Sequence, residues 1–305
     1  MAQTRTADSV SGVCDVERWG PADGPPEVVL EVPHGATLRR HYDDLRKRLG
    51  STGLPDGLEA FFFVNTDVGA PECAEEMARV LSGGEIGRPR TVEVVRGLLP
   101  RTFIDLNREI AGAQGRMTPG LAPYVRDAAD IAMLSDLWGR YQTVADARWD
   151  AACAAGGAAA AVHTYAPRTV GIERIDDDIV TELRRVYEPG LYETWTLRPE
   201  ADLITEDGDG AMLADRTMAQ ALVRELAVLG VQACENASYR LDRSTTGYRR
   251  SARWPGRTLC FEVRRDLLLT EFVPFVPLTP DPAKVAPIAR AAATAVEEAL
   301  RARSR

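Results

Sequence analysis

The sequence predicts a single-domain α/β protein in which a mixed, mostly parallel central sheet is flanked by helices. Two patterns predict this class. Short apolar segments typical of buried strands alternate along the 305-residue chain with longer segments of helical periodicity. In addition, polar residues suited to a functional site follow the strand segments, as they do at the carboxyl edge of parallel sheets.

Composition argues against several classes of protein and partner. With 45% hydrophobic residues the chain is long enough to bury a full core, but no stretch approaches the roughly 20 apolar residues of a membrane span. The first residues lack the apolar core of a signal peptide, so we expect a cytoplasmic protein. A net charge of −8 argues against nucleic acid as a partner. The five cysteines have no CxxC spacing, which favours reduced thiols.

Residues 1–24 are rich in glycine, proline and aspartate, and we predict that they form a flexible segment ahead of a domain spanning residues 25–305. The apolar residues 27–33 are typical of a buried strand, which Pro33 ends, so that His34 follows on a loop. A histidine directly after a buried strand is a candidate site residue.

The next part of the chain is predicted to continue the alternation. A helix is expected at 42–49, and the apolar run 61–64 is predicted to form a second strand that leads to Asp67. Residues 72–81 have amphipathic helical spacing, which places Asp67 in a loop between strand and helix. Residues 91–95 alternate as a strand.

The middle of the chain carries a long helical pattern between two predicted strands. Residues 102–106 form the first of these strands, and residues 124–155 have apolar side chains at helical spacing. A glycine pair at 156–157 ends this helix. The alanine-rich segment that follows and ends at His163 is compatible with a helix, but the glycines before it favour a tightly packed central strand.

A polar, turn-rich segment at about 165–210 is predicted to be a large insertion over the site. Its acidic cluster at 206–210 resembles a calcium loop, but the closing glutamate of such loops is missing, which favours a solvated loop. The remaining chain returns to α/β alternation, with a helix at 211–229, strands at 231–235 and 257–263, and a final helix at 282–303.

Two histidines and a carboxylate indicate a metal site. His34 and His163 each end an apolar segment, and two imidazoles with one carboxylate are a common protein ligand set for catalytic zinc. Asp67 is the favoured carboxylate because it also ends a predicted strand, with Glu31 and Glu72 as the alternatives. Iron, cobalt or manganese would suit the same ligands. A lone histidine is more often structural, so this pair needs support from other motifs.

The segment Arg101-Thr-Phe-Ile-Asp-Leu-Asn-Arg108 supplies such a motif. The planar fork of an arginine matches a carboxylate, and Asn107 adds an amide donor, so together they could clamp the carboxylate of an amino acid. The alternative is an ordinary ion pair in which Asp105 neutralises Arg108.

Glu262 lies between two apolar residues of the predicted strand 257–263. Burial of a carboxylate is costly unless it is paired or used, and partial desolvation would raise its pKa towards the range of a general base. The competing explanation is a salt bridge to Arg264, Arg265 or Arg249.

Five segments resemble, in the same order, motifs of the N-formylglutamate amidohydrolase family, which is related to the zinc carboxypeptidases and to succinylglutamate desuccinylase. They are Val-Pro-His34-Gly-Ala, Thr66-Asp67, the Asp-Leu-Asn-Arg108 element that starts at Arg101, His163-Thr-Tyr and Phe261-Glu262-Val. The resemblance implies a phosphorylase/hydrolase-like fold of the zinc carboxypeptidase type. It also implies hydrolysis of an amide bond, with N-formyl-L-glutamate giving formate and L-glutamate as the reaction.

The resemblance further implies a role for each candidate residue. One zinc ion (Zn2+) per chain would be bound by His34, Asp67 and His163, with Glu262 as the general base and with Asn107 and Arg108 holding the substrate carboxylate. Arg101 is then placed to stabilise a tetrahedral oxyanion. The expected partner is a small anionic N-acyl amino acid, with no nucleic acid and no membrane.

Three positions depart from the family pattern. Thr37 stands where the carboxypeptidases have their carboxylate ligand, and Ala161 replaces an acid that would orient His163. Residues 236–239 lack the family's glycine pair. Two alternatives therefore stay open: a hydrolase of another N-acyl amino acid or small peptide, and a catalytically silent small-molecule-binding protein on the same fold.

Overall fold

A mixed sheet forms the centre of the protein. The computed structural model describes residues 4–5, 9–21, 23–110, 119–172 and 174–304. The strands in these residues are β1 (Thr4–Arg5), β2 (Cys14–Trp19), β3 (Val28–Val32), β4 (Val92–Gly97), β5 (Ala158–Tyr165), β6 (Ala201–Ile204), β7 (Ala233–Glu235) and β8 (Thr258–Arg264). Their order across the sheet is β1-β2-β4-β3-β5-β8-β6-β7.

The central strands are parallel. Strands β4, β3, β5 and β8 run in the same direction, whereas β2 pairs antiparallel with β4 and β6 pairs antiparallel with β8. The carboxyl ends of β3, β5 and β8 therefore meet at one edge, where α/β proteins build their sites. The predicted α/β class with a mixed, mostly parallel sheet is confirmed.

Helices cover both faces of the sheet. They are α1 (Arg39–Arg48), α2 (Leu58–Asn65), α3 (Ala70–Gly83), α4 (Ala128–Ala154), α5 (Ile179–Val186), α6 (Arg216–Val228), α7 (Thr246–Arg253) and α8 (Pro282–Arg303). One buried cluster joins α3, α6 and α8 to one face, and a second joins α1, α2, α4 and α5 to the other. Each face of the central strands is thus packed, as expected of a three-layer α/β domain.

Strand β5 confirms that the alanine-rich segment is a central strand. All eight of its residues are buried, and β3 and β8 flank it. Its small side chains let helices pack closely on both faces. A Cβ atom at Gly157 would collide with the carbonyl oxygen of Glu27, so glycine is required where β5 enters the sheet beside β3.

Most other predicted elements are confirmed with shifted ends. Helix α8 has its predicted bounds, Pro282–Arg303. The long helix α4 begins four residues later than predicted, because the Asp127 side chain accepts hydrogen bonds from the N–H groups of Ala129 and Asp130 and caps it there. Within the described residues, no helix is both long and apolar enough to cross a membrane.

Two predicted strands are wrong. The apolar run 61–64 lies in α2, and all four of its side chains are buried. A short continuous apolar run cannot be assigned by periodicity, because a buried strand and a buried helix share it. Residues 102–106 form turns, since the N–H groups of Phe103 and Ile104 bond to the carbonyl of Pro100 and that of Asp105 bonds to Gly120.

Two predictions about segments also need correction. Within the expected flexible segment 1–24, residues 14–19 form β2, which pairs with β4 over its whole length. Alternate side chains of β2, such as Cys14 and Val16, are buried in the core. Residues 1–3, 6–8 and 22 of that segment lie outside the described residues. The expected insertion at 165–210 borders the cavity described below, but it is not a loop throughout, because it contains α5 and the sheet strand β6.

Candidate metal centre and adjoining cavity

His34 lies on the turn that follows β3. Glycines make room for this turn at the edge of the sheet. A Cβ at Gly97 would lie 2.5 Å from the carbonyl oxygen of Pro33, and a Cβ at Gly35 would lie 2.5 Å from Cγ of Arg96. Close packing therefore holds the turn in one position, and it leaves only 5% of His34 exposed.

Asp67 lies between α2 and α3, and not after a strand as predicted. The hydroxyl of Thr66 donates to the carbonyl oxygen of Ala36 at 2.9 Å, which ties the end of α2 to the turn of His34. Gly69 has a φ of 93°, so a residue without a side chain starts the change of direction into α3. Asp67 is 2% exposed.

His163 lies near the carboxyl end of β5. It is the register neighbour of Glu262 on β8. The adjacent Thr164 donates its hydroxyl to the carbonyl oxygen of Val68 at 3.0 Å and its N–H to Oδ2 of Asp67 at 3.3 Å. Strand β5 therefore positions His163 and also anchors the loop that carries Asp67.

The three side chains meet at the edge of the sheet. Oδ2 of Asp67 lies 3.3 Å from Nδ1 of His34 and 3.1 Å from Nδ1 of His163. One ligand atom from each of the three residues lies within 4.8 Å of the others, and all three residues are buried. Two imidazoles and a carboxylate in this arrangement could hold a divalent metal ion, and they are the donor set of many zinc sites. The alternatives Glu31 and Glu72 do not belong to this group.

Asp105 orients His34. Its Oδ1 lies 2.7 Å from Nε2 of His34 and accepts the N–H of Asn107 at 2.8 Å, while its Oδ2 accepts Nε of Arg101 at 2.8 Å. Burial favours a raised pKa for Asp105, but Arg101 and His34 outweigh it and hold the pKa well below its usual range. A carboxylate on the far nitrogen of a histidine fixes the ring and its tautomer, as at many metal sites.

Arg108 forms only a long ion pair with Asp105, without a hydrogen bond. Its Nε lies 3.9 Å from Oδ2 of Asp105, beyond hydrogen-bond distance. Arg108 is 8% exposed, and its buried Nε and Nη1 have no hydrogen-bond partner among the described residues. Burial lowers its pKa, and the attraction of Asp105 compensates only in part. A buried guanidinium with unpartnered nitrogens at a cavity wall is suited to bind an anion.

Asn107 is held by the beginning of α7. Its Oδ1 accepts the N–H of Gly247 at 3.0 Å and the hydroxyl of Thr246 at 3.2 Å. These bonds use the oxygen of the amide and leave Nδ2 as a donor. The clamp predicted from the motif is thus compatible with the positions of Asn107 and Arg108.

Glu262 is partly buried beside the group that could hold a metal. Burial raises its pKa, with Asp67 acting in the same direction and with His163 and Arg198 opposing. The structure shows no salt bridge from Glu262 to the three arginines proposed as partners. Their recorded partners lie elsewhere: Arg264 pairs with Asp266, Arg265 donates to the carbonyl of Val64, and Arg249 pairs with Glu109 and Asp146.

A single cavity of about 640 Å³ connects these groups. Of the seven predicted site residues, Asp67 is buried and does not line the cavity, and the other six do: His34, Arg101, Asn107, Arg108, His163 and Glu262. Arg101 engages Asp105 through Nε only, so its other guanidinium nitrogens have no hydrogen bond to the described residues. Burial opposes its charge, but Asp105 and Asp67 raise its pKa above the ordinary value.

Three residues of this region have no predicted site role. Asp105, which orients His34, appears in the sequence analysis only as an alternative partner of Arg108. Arg265 lies 3.7 Å from Oδ1 of Asp67, and Arg198 donates to the hydroxyl of Tyr239 at 2.9 Å. Arg198 carries no sequence signal and Arg265 was expected only as a possible ion-pair partner of Glu262, because the fold alone brings both arginines to the cavity.

Two solved structures resemble the chain over almost its whole length. A gene product from Agrobacterium tumefaciens has a TM-score of 0.54 and 17% sequence identity, with 96% of this chain and 96% of that chain covered. An N-formylglutamate amidohydrolase from Ralstonia eutropha JMP134 has a TM-score of 0.54 and 17% identity, with 95% of this chain and 97% of that chain covered. No protein-family model and no curated protein sequence matches the chain. At 17% identity the similarity shows the fold alone: the chain has the same α/β fold as this N-formylglutamate amidohydrolase.

Proposed function

We propose that the protein is a zinc-dependent amidohydrolase that cleaves the amide bond of an N-acyl amino acid. The observation that carries this proposal is that three features lie together at one cavity. They are the buried group of two histidines and one carboxylate, the partly buried Glu262, and the guanidinium of Arg108, whose Nε and Nη1 have no hydrogen-bond partner among the described residues. Within this class, N-formyl-L-glutamate, which would give formate and L-glutamate, is the first substrate to test.

His34, Asp67 and His163 would hold the ion. Their buried donor atoms fit a divalent cation, which would also compensate the two buried carboxylates of Asp67 and Asp105. Zinc bound in such a site lowers the pKa of a water molecule and polarises a carbonyl group. Nε2 of His34 donates to Asp105 and leaves Nδ1 as the ligand atom.

Arg108 and Asn107 bind the carboxylate of the amino acid. The guanidinium of Arg108, whose Nε and Nη1 have no hydrogen-bond partner among the described residues, donates to the carboxylate oxygens, and Nδ2 of Asn107 adds a further donor. The buried charge of Arg108 is costly in the free protein and is compensated when the anion binds. Because the donors come from two residues, the clamp also orients the substrate.

Glu262 moves the proton. Its carboxylate accepts a proton from the attacking water and then gives it to the nitrogen of the leaving amine. A carboxylate with a raised pKa performs both steps near neutral pH better than an exposed one. Arg101, with guanidinium nitrogens left for hydrogen bonds, stabilises the oxyanion, a contribution of about 2.7–4 kcal/mol for one donor in other enzymes.

The proposal is tested by elemental analysis and activity on the same samples. We expect one zinc per chain in the wild type, none in a His34→Ala/His163→Ala double variant, and unchanged zinc in His41→Ala. His41 is the third histidine of the chain and lies outside the group. The zinc-loaded wild type should hydrolyse at least one member of a panel of N-acyl amino acids that includes N-formyl-L-glutamate. A protein that binds no metal even after reconstitution with zinc would refute the proposal.

A further inference from the structure

The cavity has a second, apolar part that the proposed chemistry does not use. Its lining comes from two helices and the chain that precedes one of them. The residues are Phe61 and Val64 of α2, Val170, Ile172 and Ile175 before α5, Ile179 and Leu183 of α5, and Tyr187 directly after it. We call this set the apolar wall; Arg168, Arg174 and Asp176, from the same part of the chain, line the cavity beside it.

The apolar wall follows from helix periodicity. Ile179, Leu183 and Tyr187 are spaced four apart and therefore lie on one face of α5. Arg184 and Arg185, on other faces of the same helix, are exposed. Helix α5 packs against α2, so its apolar face and that of α2 border the same space.

The wall residues pack against the buried core on the side away from the cavity. Phe61, Ile179 and Leu183 are 5%, 1% and 4% exposed, and they belong to the main buried cluster on their side of the sheet. Ile172 and Ile175 are only partly buried although they also pack against this cluster. The wall is therefore an apolar surface backed by the buried cluster, and its partly buried residues still have contact area to offer at the cavity.

The wall and the carboxylate clamp lie on different elements. Asn107 is fixed to the start of α7, whereas the wall is built on α2 and α5. Helix α2 ends two residues before Asp67, and Arg265 joins the two by donating to the carbonyl of Val64 while lying 3.7 Å from Asp67. The wall thus begins beside the group that could hold the metal.

We propose that the apolar wall binds the acyl group, and that the preferred substrates are N-acyl amino acids whose acyl chain is apolar and several carbons long. This inference rests on the proposed function. A formyl group has one carbon and would leave the wall in contact with water. A volume of about 640 Å³ also lies within the roughly 300–1,000 Å³ of pockets that enclose much larger ligands.

The reaction is ordinary amide hydrolysis. Water adds to the acyl carbon and its C–O bond forms while Glu262 takes a proton; the tetrahedral oxyanion then collapses, the carbonyl re-forms, the C–N bond breaks, and the amine leaves with the proton that Glu262 accepted. The products are an apolar carboxylic acid and the free amino acid, and no further reactant is needed.

The first experiment compares the N-formyl, N-acetyl, N-butanoyl, N-hexanoyl and N-octanoyl derivatives of L-glutamate with the zinc-loaded protein. Each methylene buried against the wall should raise kcat/KM about fourfold, the value for transfer of a methylene from water. Hydrolysis of the formyl or acetyl compound with lower kcat/KM for the longer chains would overturn this inference while leaving the proposed function intact.

A variant tests the wall itself. In an Ile172→Ser/Ile175→Ser double variant the ratio of octanoyl to formyl kcat/KM should fall at least tenfold. These residues are only partly buried, so the fold should tolerate the change. Val228→Ser, at an 82% exposed position on α6, is the matched control and should keep the wild-type ratio. An unchanged ratio in the double variant would overturn the assignment of the wall.

Binding separates the two proposals. In Glu262→Gln, calorimetry should show tighter binding of N-octanoyl- than of N-acetyl-L-glutamate, with a more negative heat-capacity change. If this binding preference is found but the wild type hydrolyses none of the compounds, the result supports the role of the apolar wall and refutes the proposed hydrolase function. Equal binding of the two compounds would refute the wall even in an active enzyme.

Discussion

Oδ1 of Asp105 lies 2.7 Å from Nε2 of His34, and this contact determines which nitrogen of the histidine faces Asp67. Asp105 stays ionised because Arg101 and His34 hold its pKa well below the usual range. An ionised carboxylate only accepts hydrogen bonds, so Nε2 of His34 donates to Asp105, and Nδ1, 3.3 Å from Oδ2 of Asp67, is left as the nitrogen that would bind an ion. Asp105 thus fills for His34 the orienting role that Ala161 cannot fill for His163.

We predict that Asp105→Ala weakens zinc binding by about 10- to 100-fold, the usual effect of removing the hydrogen-bond partner of a metal-bound histidine. Competition with a chelator of known zinc affinity measures it. Arg101→Met is the control, because it removes the ion pair of Arg101 but keeps the contact between Asp105 and His34. Its zinc affinity should hold or rise, since a nearby positive charge is lost. Equal loss of zinc affinity in both variants would mean that the Arg101–Asp105 ion pair, rather than the orientation of His34 by Asp105, supports zinc binding.

Glu262→Gln should retain zinc and lose most turnover. The amide keeps the shape of the side chain but cannot accept the proton, which should lower kcat by roughly 10²- to 10⁴-fold. Steady-state kinetics and elemental analysis on the same sample check both halves of the prediction. Glu271→Gln, at an exposed loop position, should behave as wild type. Turnover that survives in Glu262→Gln would remove this residue from the role of base.

The pH profile of kcat/KM should show an acid limb above pH 4.5, the ordinary pKa of a glutamate carboxyl. Burial raises the pKa of Glu262 and Asp67 adds to it, while His163, Arg198 and Arg101 oppose. A base works only when deprotonated, so activity should be lost as the pH falls through this raised pKa. The residual activity of Glu262→Gln should lack that limb. A limb retained in this variant would belong to another group.

Arg108→Met should stabilise the folded protein and weaken substrate binding. The buried nitrogens of Arg108 lack partners in the free protein, and such a group costs about 1–3 kcal/mol. An apolar side chain of similar length removes that cost, and about 1 kcal/mol raises the Tm of a large domain by roughly 2–4 °C. The same variant should raise KM at least tenfold, because charge-assisted hydrogen bonds to the substrate carboxylate are lost. A lower Tm would identify Arg108 as a structural residue.

Gly97→Ala should destabilise the protein and disturb the turn of His34. The added Cβ would lie 2.5 Å from the carbonyl oxygen of Pro33, and overpacking of this kind costs about 1–3 kcal/mol. Chemical denaturation measures the loss, and zinc affinity should fall with it. Gly139→Ala is the matched control: it lies inside α4, where an added Cβ meets no atom within 4 Å, so stability should rise by up to about 1 kcal/mol. Unchanged zinc affinity in Gly97→Ala would show that the turn adapts.

Elements with a clear period or a strong terminal signal could be predicted from the sequence. Helix α8 has its predicted bounds, and the glycine pair before β5 identified the alanine run as a strand. The run 61–64 could not be assigned, because it is apolar at every position and α2 buries all of it. Residues 102–106 looked like a strand, but their N–H groups bond to Pro100 and to the segment around Gly120, a pairing that no local pattern reveals.

The sequence by itself determined the residue types of the candidate site and their order, since His34, the Asp-Leu-Asn-Arg element and Glu262 follow from local motifs. Only the tertiary structure decided the partners. It placed Asp105 within hydrogen-bond distance of His34 and Arg101 but not of Arg108, left Nε and Nη1 of Arg108 without hydrogen bonds to the described residues, and packed α5 against α2 to form the apolar wall. The physical reason is that hydrogen bonds and apolar contacts depend on distances between chain segments far apart in sequence, and packing of the whole sheet sets those distances.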